Sequence, residues 1–471
     1  MKAGDKAIAA YANQEALDFY ERAQTVCDTL GARGLMTAAD VARKRGFVKI
    51  TIGDLPEAIA DFDRMLEAAR NQGNRHLEGL ALADRGAAEW LAHQLEKSEQ
   101  TLRAVWTIAD EGFDDLRFCA NFWLFALFTF GLSRCAEARP FLHVADTLEE
   151  EVEDPFHRGW WMMLRPCVPI WEGRFDDALS FLERRRGIIQ AIPNISIRVN
   201  VQWRYALAWI GKGAYQQALD IIQEILATCD RTGEVVTWPR VLNTMGWLCS
   251  ELQNHERAMA WNAEGVEVAK EINAPDPEIE CNALVNLGDN LLALGRLDEA
   301  EGYFQQVERI VRSPQSHDYF MLWRYAQHLF HSFGEWWFAR SDYEKAHAYA
   351  DECLNLAEET NSRKNIVKAR RLRGQVFLAQ GRLRESDREL AIALAVAQAV
   401  GNPPQLWKTY VATGDLQQTQ GKADDAKQAY RDAAGVIEAV ATGLDDESLK
   451  NAFLNSSEVR TIQQKASTAS L

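Results

Sequence analysis

Apolar side chains recur at helical spacing in successive stretches of the chain, and the stretches are separated by one recurring phrase. The phrase is a glycine or polar residue, any residue, Leu, Tyr or Phe, two more residues, then Ala or Ser. It runs Gly53 to Ala58, Gly173 to Ala178, Gly213 to Ala218, Gly295 to Ala300, Gly381 to Ser386 and, with Ala423 at the third position, Gly421 to Ala426. Weaker copies run His93 to Ser98, Gly131 to Ala136, Gln253 to Ala258 and Ser341 to Ala346, and a degenerate first copy runs Tyr11 to Ala16. Successive starts lie 38 to 46 residues apart, a period near 40. One supersecondary unit repeated in this way predicts an all-α chain of helix-turn-helix pairs stacked into a solenoid.

A second anchor fixes how the two helices of a pair meet. A glycine stands twelve residues before the small residue in seven copies: Gly46/Ala58, Gly86/Ser98, Gly246/Ala258, Gly288/Ala300, Gly334/Ala346, Gly374/Ser386 and Gly414/Ala426. Antiparallel helices joined by a tight turn approach closely only where side chains are small, so these positions predict the packing contact. Four residues after the small position comes a large apolar residue, as at Phe62, Leu102, Leu182, Ile222, Phe304, Leu390 and Tyr430.

The small residue, the Gly-x-Leu/Tyr-x-x-Ala turn and the bulky residue one helical turn later resemble the tetratricopeptide repeat (TPR) over nearly the whole chain. The period near 40 in place of 34, and the scarcity of the closing proline, imply longer helices with a short extra linker. The resemblance implies a right-handed superhelix of about eleven repeats. The two ends are similar to the helical arms of bacterial signalling ATPases, adenylate cyclases and maltose-regulator-type transcription factors. They carry Ala3 to Ala7 with Tyr11 to Ala23, and Ile437, Leu444 to Leu449 and Phe453 to Arg460. The nucleotide-binding and DNA-binding domains that accompany such arms have no counterpart in this sequence.

Composition narrows the partners. The chain carries 52 Lys+Arg against 68 Asp+Glu, a net charge of −16, and repels phosphate backbones and anionic lipid; neither nucleic acid nor membrane is an expected partner. Eight cysteines are scattered singly without a CxxC pair, as expected of reduced thiols in a cytoplasmic protein. The N-terminus lacks the apolar stretch of a signal peptide, and the longest apolar run, Phe118 to Leu132, is too short to span a bilayer.

Reactive motifs are missing. There is no GxxxxGK[ST], no GxGxxG after a strand, no HExxH and no GxSxG, so no enzyme, cofactor or metal site is expected. Carboxylate pairs such as Asp176-Asp177, Asp298-Glu299 and Asp424-Asp425 recur in the first turn of second helices, where they complement the helix dipole. His328, His331, His347 and Cys353 have the residue types of a zinc site but no standard spacing, and read as core or groove residues. Most of the 15 tryptophans sit at apolar spacing in first helices and read as core, with stacking on a ligand as the competing role.

The TPR resemblance also implies where a partner would lie. In that superhelix the first helices line the concave face, at positions three and six before the packing glycine and one and four after it. Here these are Arg43, Arg240, Asn243, Asn282, Asp289, His328, His331, Glu335, Lys368, Arg371, Lys408 and Asp415. The late copies are basic: Arg363-Lys364, Lys368, Arg370-Arg371 and Arg373 are followed by Lys408. An acidic peptide or a C-terminal carboxylate suits such a patch, against the plainer reading of a solvated helix face. The Lys/Asn constellation of chaperone-tail clamps is not reproduced.

The expected function is a non-catalytic protein-binding scaffold in bacterial signalling, with a small-molecule-sensing arm as the alternative. The expected layout is repeats over 1–312 with a cap repeat at 1–34, a bend at 313–318 and repeats over 319–441. A capping helix at 442–462 and a frayed tail at 463–471 would complete the chain.

Overall fold

The computed structural model describes residues 1–30, 34–110, 112–270 and 277–468; among them there are helices and turns and no strand. In chain order the helices are α1 (Lys2–Ala9), α2 (Asn13–Leu30), α3 (Leu35–Ile52), α4 (Leu55–Asn71), α5 (Arg75–Leu91), α6 (Leu95–Ala109), α7 (Asp114–Ala126), α8 (Cys135–Leu148), α9 (Pro155–Leu164), α10 (Cys167–Trp171), α11 (Phe175–Arg184), α12 (Arg186–Gln190) and α13 (Ile195–Lys212). They continue as α14 (Tyr215–Thr232), α15 (Trp238–Glu251), α16 (His255–Lys270), α17 (Pro277–Ala293), α18 (Leu297–Val311), α19 (Leu322–Ala339), α20 (Tyr343–Glu359), α21 (Arg363–Ala379), α22 (Leu383–Val400), α23 (Pro403–Thr419), α24 (Ala423–Thr442), α25 (Glu447–Asn455) and α26 (Ser457–Thr468). No helix of the described residues is long and apolar enough to cross a membrane.

The recurring phrase has a single backbone cause. Its first residue takes the left-handed conformation that ends one helix and starts the next. Gly53, Gly173, Gly213, Gly295, Gly381 and Gly421 all have φ between 71° and 81°. The copies without glycine adopt the same conformation at Tyr11, His93, Gln253 and Ser341, with φ between 57° and 62°. One copy is corrected. The sequence reads 131–136, but the left-handed residue is Ser133 and the buried small residue is Ala138, while Ala136 is exposed. A π-helical turn over Leu127–Gly131 delays the turn by two residues. Measured at Ser133, the steps from His93 and to Gly173 are both 40 residues (133 − 93 and 173 − 133).

The packing glycines make room for the large residue sixteen positions later. A Cβ on Gly46 would lie 2.6 Å from the Phe62 ring, and the same holds for Gly86 against Leu102, Gly374 against Leu390 and Gly414 against Tyr430. Where serine replaces alanine at the small position, its hydroxyl donates to the packing glycine's carbonyl: Ser98 to Gly86 at 2.7 Å and Ser386 to Gly374 at 2.8 Å. The hydroxyl is thus satisfied inside the pair, which is why a polar residue is tolerated there. Gly334 departs from the rule and meets Leu372.

The contacts divide the chain into two compact units. The first holds Met1–Arg165, Arg185–Val201 and His317–Met321; the second holds Pro166–Arg184, Gln202–Ser316 and Leu322–Leu471. In the 46-residue step, where the sequence suggests a bend at 313–318, the residues up to Ser316 stay with the second unit and His317–Met321 belong to the first. There the Met321 N–H donates to the Phe130 carbonyl at 2.7 Å, and Phe320 packs against Trp90. At the C-terminal end two helices, α25 and α26, stand where one was expected at 442–462, and α26 stays helical from 463 to Thr468. The last three residues of the expected frayed tail lie outside the described residues.

Candidate functional site

In the first unit the expected groove residue Arg43 is taken up by the protein itself. Its Nε meets Asp84 at 2.6 Å, its Nη1 meets Asp154 at 2.5 Å, and the guanidinium lies over the Phe47 ring. Asp154 caps α9 through the N–H groups of Phe156 and His157, and Phe156 stacks on Phe47 with centroids 3.8 Å apart. Asp84 is fully buried and also faces His157, 3.0 Å away, whose Nδ1 accepts from the Trp123 indole. Burial alone would raise the Asp154 carboxyl, but His157 and Arg43 hold it down at about 2.

In the second unit several expected groove residues pair from one first helix to the next. Arg240 meets Glu278 at 3.1 Å, and Arg324 pairs with the same carboxylate. Asn282 donates to the Glu278 side chain at 2.9 Å, and Asn243 accepts from Asn286 at 2.8 Å. The residue one after the packing glycine reaches the residue six before the next one in Asp289–His328, at 2.7 Å. The same rung reappears at the C-terminal end as Asp415–Lys465, at 2.6 Å. His331 lies 3.4 Å from Glu335 on its own helix, and Arg371 donates to Gln405 at 2.9 Å.

The ladder breaks at α21. The corresponding rung would join Glu335 to Lys368, and it is not made: Lys368 forms no ion pair among the described residues. Lys364, one turn earlier on the same face, has the Trp247 ring 4.4 Å from its Nζ in place of a carboxylate. The next rung has Gln375 where a carboxylate would stand, and Lys408 reaches only Glu458, at 3.9 Å. Burial, with Lys368 and Arg324 nearby, pushes the Lys364 ammonium down to about 8 against the opposing pull of Glu251 on α15. Burial, with Lys368, Arg371 and Lys408 nearby, lowers His331 well below the usual imidazole range, and burial lowers His328 despite Asp289. Lys364 and Lys368, without an ion pair among the described residues, thus lie close to other cations in an acidic chain, where Lys364 reaches across from α21 to α15.

The remaining chemistry-bearing residues have local partners. His347 sits 3.2 Å from Asp351, and the Cys353 thiol donates to the Gln327 carbonyl. Asp176 pairs with Lys212 and Asp298 with Arg340, each across to a neighbouring helix. Trp123, Trp161 and Trp407 are fully buried core residues.

Comparison with solved structures gives the architecture a setting. A Rap protein complexed with competence and sporulation factor superposes with a TM-score of 0.57 at 13% identity, over 78% of this chain and 99% of that one. The fold is that of the TPR-type helical repeat proteins. A signal-transduction ATPase with a tetratricopeptide-repeat sensor from Pyrococcus horikoshii matches over 79% of this chain and 55% of its own, at 15% identity and a TM-score of 0.43. A hetero-tetramer of the APC/C matches over 98% of this chain and 90% of its own, at 12% identity and 0.49. No protein-family model matches the chain, and no curated protein is similar in sequence.

The groove rule carried over from TPR proteins omits the residues that decide the site's charge. Glu278, Arg324 and Lys364 all stand ten positions before a packing glycine (288 − 278, 334 − 324, 374 − 364). One more helical turn on the same face would have found them. Trp247 stands one position after Gly246, where the rule already points, but carries no charge to mark it.

Lys364 offers a direct test of the local electrostatics. Its folded-state pKa lies below the unfolded lysine value of about 10.4, so its charge disfavours the native state at neutral pH. That cost is relieved as pH rises from about 8 towards the unfolded value. Lys364→Met should raise stability at pH 7 by about 1 kcal/mol. It should also flatten the rise that wild type shows in chemical denaturation above pH 8. An unchanged pH profile would count against the assigned surroundings.

Proposed function

We propose that the chain is a non-catalytic binding scaffold of a reducing, cytoplasmic compartment, serving bacterial signalling or regulation, and that the inner face of its second unit holds an acidic segment of another protein. The observation that carries this reading is the broken rung at α21. Lys364 and Lys368, one helical turn apart, have no carboxylate partner, although the chain has a net charge of −16 and pairs the equivalent positions elsewhere. Cations held together against mutual repulsion are worth their cost in stability where an anion joins them. Stacked helices supply the surface, and the Rap relative was solved holding a second component. All eight cysteines are free.

The test is affinity purification from the native host with wild type and with a Lys364→Glu/Lys368→Glu variant. Wild type should retain a defined set of proteins that the variant loses while keeping its helical circular dichroism. Equal recovery by both would sink the assignment. Stabilisation by a single metabolite, with no protein retained, would shift the reading to a small-molecule sensor.

A further inference from the structure

The first unit holds a cavity of about 410 Å³ between α5, the start of α7 and the connection that leads into α9. That volume is in the range of sites for small organic molecules. Its charge is one-sided: Asp114, Asp115, Glu151, Glu153 and Asp154 line it, and no lysine or arginine does. Three of these carboxylates are already matched, Asp115 by His76 at 2.6 Å, Asp114 by Arg117 at 2.9 Å and Asp154 by Arg43 at 2.5 Å. Glu151 and Glu153 form no ion pair among the described residues, and both are exposed at the mouth. The depth of the cavity belongs to Cys119, Val152 and His157, which are buried, and Leu80 and Phe113 extend its apolar wall. The Trp123 indole donates to His157 Nδ1, which leaves Nε2 as the donor of the ring. That buried nitrogen has no hydrogen-bond partner, for Asp84 Oδ1, although 3.0 Å away, lies off the direction of its N–H.

The geometry points to a binding site for a small organic amine that carries a neutral oxygen acceptor, a hydroxyl or a carbonyl, at its far end. The ammonium group meets Glu151 and Glu153 at the mouth, the hydrocarbon body lies along Leu80, Phe113 and Val152, and the oxygen accepts from His157 Nε2. Each part of the ligand answers a separate feature of the cavity. Two carboxylates without partners, two residues apart on one connection, repel each other and are stabilised by a cation between them. The apolar wall favours a hydrocarbon body over a bare metal ion. Among the described residues no three or more His, Cys, Asp or Glu side chains are placed to hold a metal. The buried N–H of His157 gains the bond that it lacks. A carboxylate at the far end is disfavoured, because it would join Asp84 and Asp154, which already share the one guanidinium of Arg43. The cavity lies wholly in the first unit and shares no residue with the lysine pair of α21, so it stands independently of the acidic-segment reading.

Titration calorimetry on the full chain can compare linear aminoalkanols and aminoalkanamides of increasing length, each with its amine and its oxygen at opposite ends. One length should bind best. The alkylamine, the alkanediol and the amino acid of that length should each bind about tenfold more weakly or worse, comparisons that leave the protein unaltered. A Glu151→Gln/Glu153→Gln variant should lose about tenfold in affinity for the best ligand and keep its circular dichroism, since both side chains are exposed and unpaired. A Lys364→Gln/Lys368→Gln variant should bind it as wild type does. Equal binding of the alkylamine would overturn the contact with His157, and affinity that survives the loss of both glutamates would overturn the placement of the ammonium group. No binding at any length would overturn the site, as would a lysine-rich peptide that binds in a Glu151- and Glu153-dependent way where none of the small amines does.

Discussion

Gly288→Leu is expected to unfold the α17–α18 pair, at a cost of about 3 kcal/mol or more. Gly288 lies against the ring of Phe304, which is fully buried, and even a Cβ at this position would collide with that ring. A leucine must displace either the ring or the helix, and in a close-packed stack neither has anywhere to go. Because each repeat contacts mainly its neighbours, the damage should appear as local protease sensitivity around α17 and α18 together with a lowered melting temperature. Gly302 provides the control. It lies inside α18 with nothing within 4 Å of a would-be Cβ, so Gly302→Leu should leave stability unchanged or slightly raised through helix propensity. Shrinking the ring with Phe304→Leu should recover part of the Gly288→Leu loss, giving a non-additive cycle. Equal effects at the two glycines would refute the close-approach account.

Arg43→Met should destabilise the first unit by about 3–5 kcal/mol, because it strips the cation from two carboxylates. Asp84 is fully buried, and Asp154 holds the start of α9. The expected effect has a sign in pH as well. The Asp154 carboxyl is held at about 2, below the unfolded aspartate value of about 3.9, so it contributes stability above that unfolded value. The contribution is lost as pH falls through the folded pKa. Removing Arg43 takes away one of the charges that hold the pKa down, so the variant should acid-unfold at a higher pH than wild type. Acid titrations of the two proteins followed by circular dichroism check this, and coincident curves would show that the network does not stabilise the unit. Adding Asp84→Asn should recover part of the loss, since it relieves the buried charge that Arg43→Met leaves behind.

The two substitutions bear on different levels of the chain's information. The close approach at Gly288 belongs to a local spacing that repeats, and it was legible in the sequence because every copy solves the same packing problem with the same residue types. Even the copies lacking glycine were legible, since His93, Gln253 and Ser341 keep the left-handed turn in their register. The reading slipped at Gly131, where the π-helical turn over Leu127–Gly131 shifts the register without altering the turn residue types. The Arg43 network was not legible. Its partners lie 41 and 111 residues away, and Asp154 arrives from a different copy at a position that no repeat rule singles out.

By itself, then, the sequence determined the helix pairs, their turns and the face on which each first helix carries its polar residues, because these follow from φ preferences and helical periodicity within about 40 residues. Only the tertiary structure decided which of those polar residues are already paired. It decided that Arg240 and Asp415 are matched by opposite charges on neighbouring helices and Asp289 by the His328 imidazole, and that Lys364 and Lys368 have no such partner. The physical reason is range. A turn or a packing contact is set by residues near in sequence, whereas the charge facing Lys364 depends on how α15, α19 and α21 come to face one another, which accumulates over many stacked repeats and is written in no single one of them.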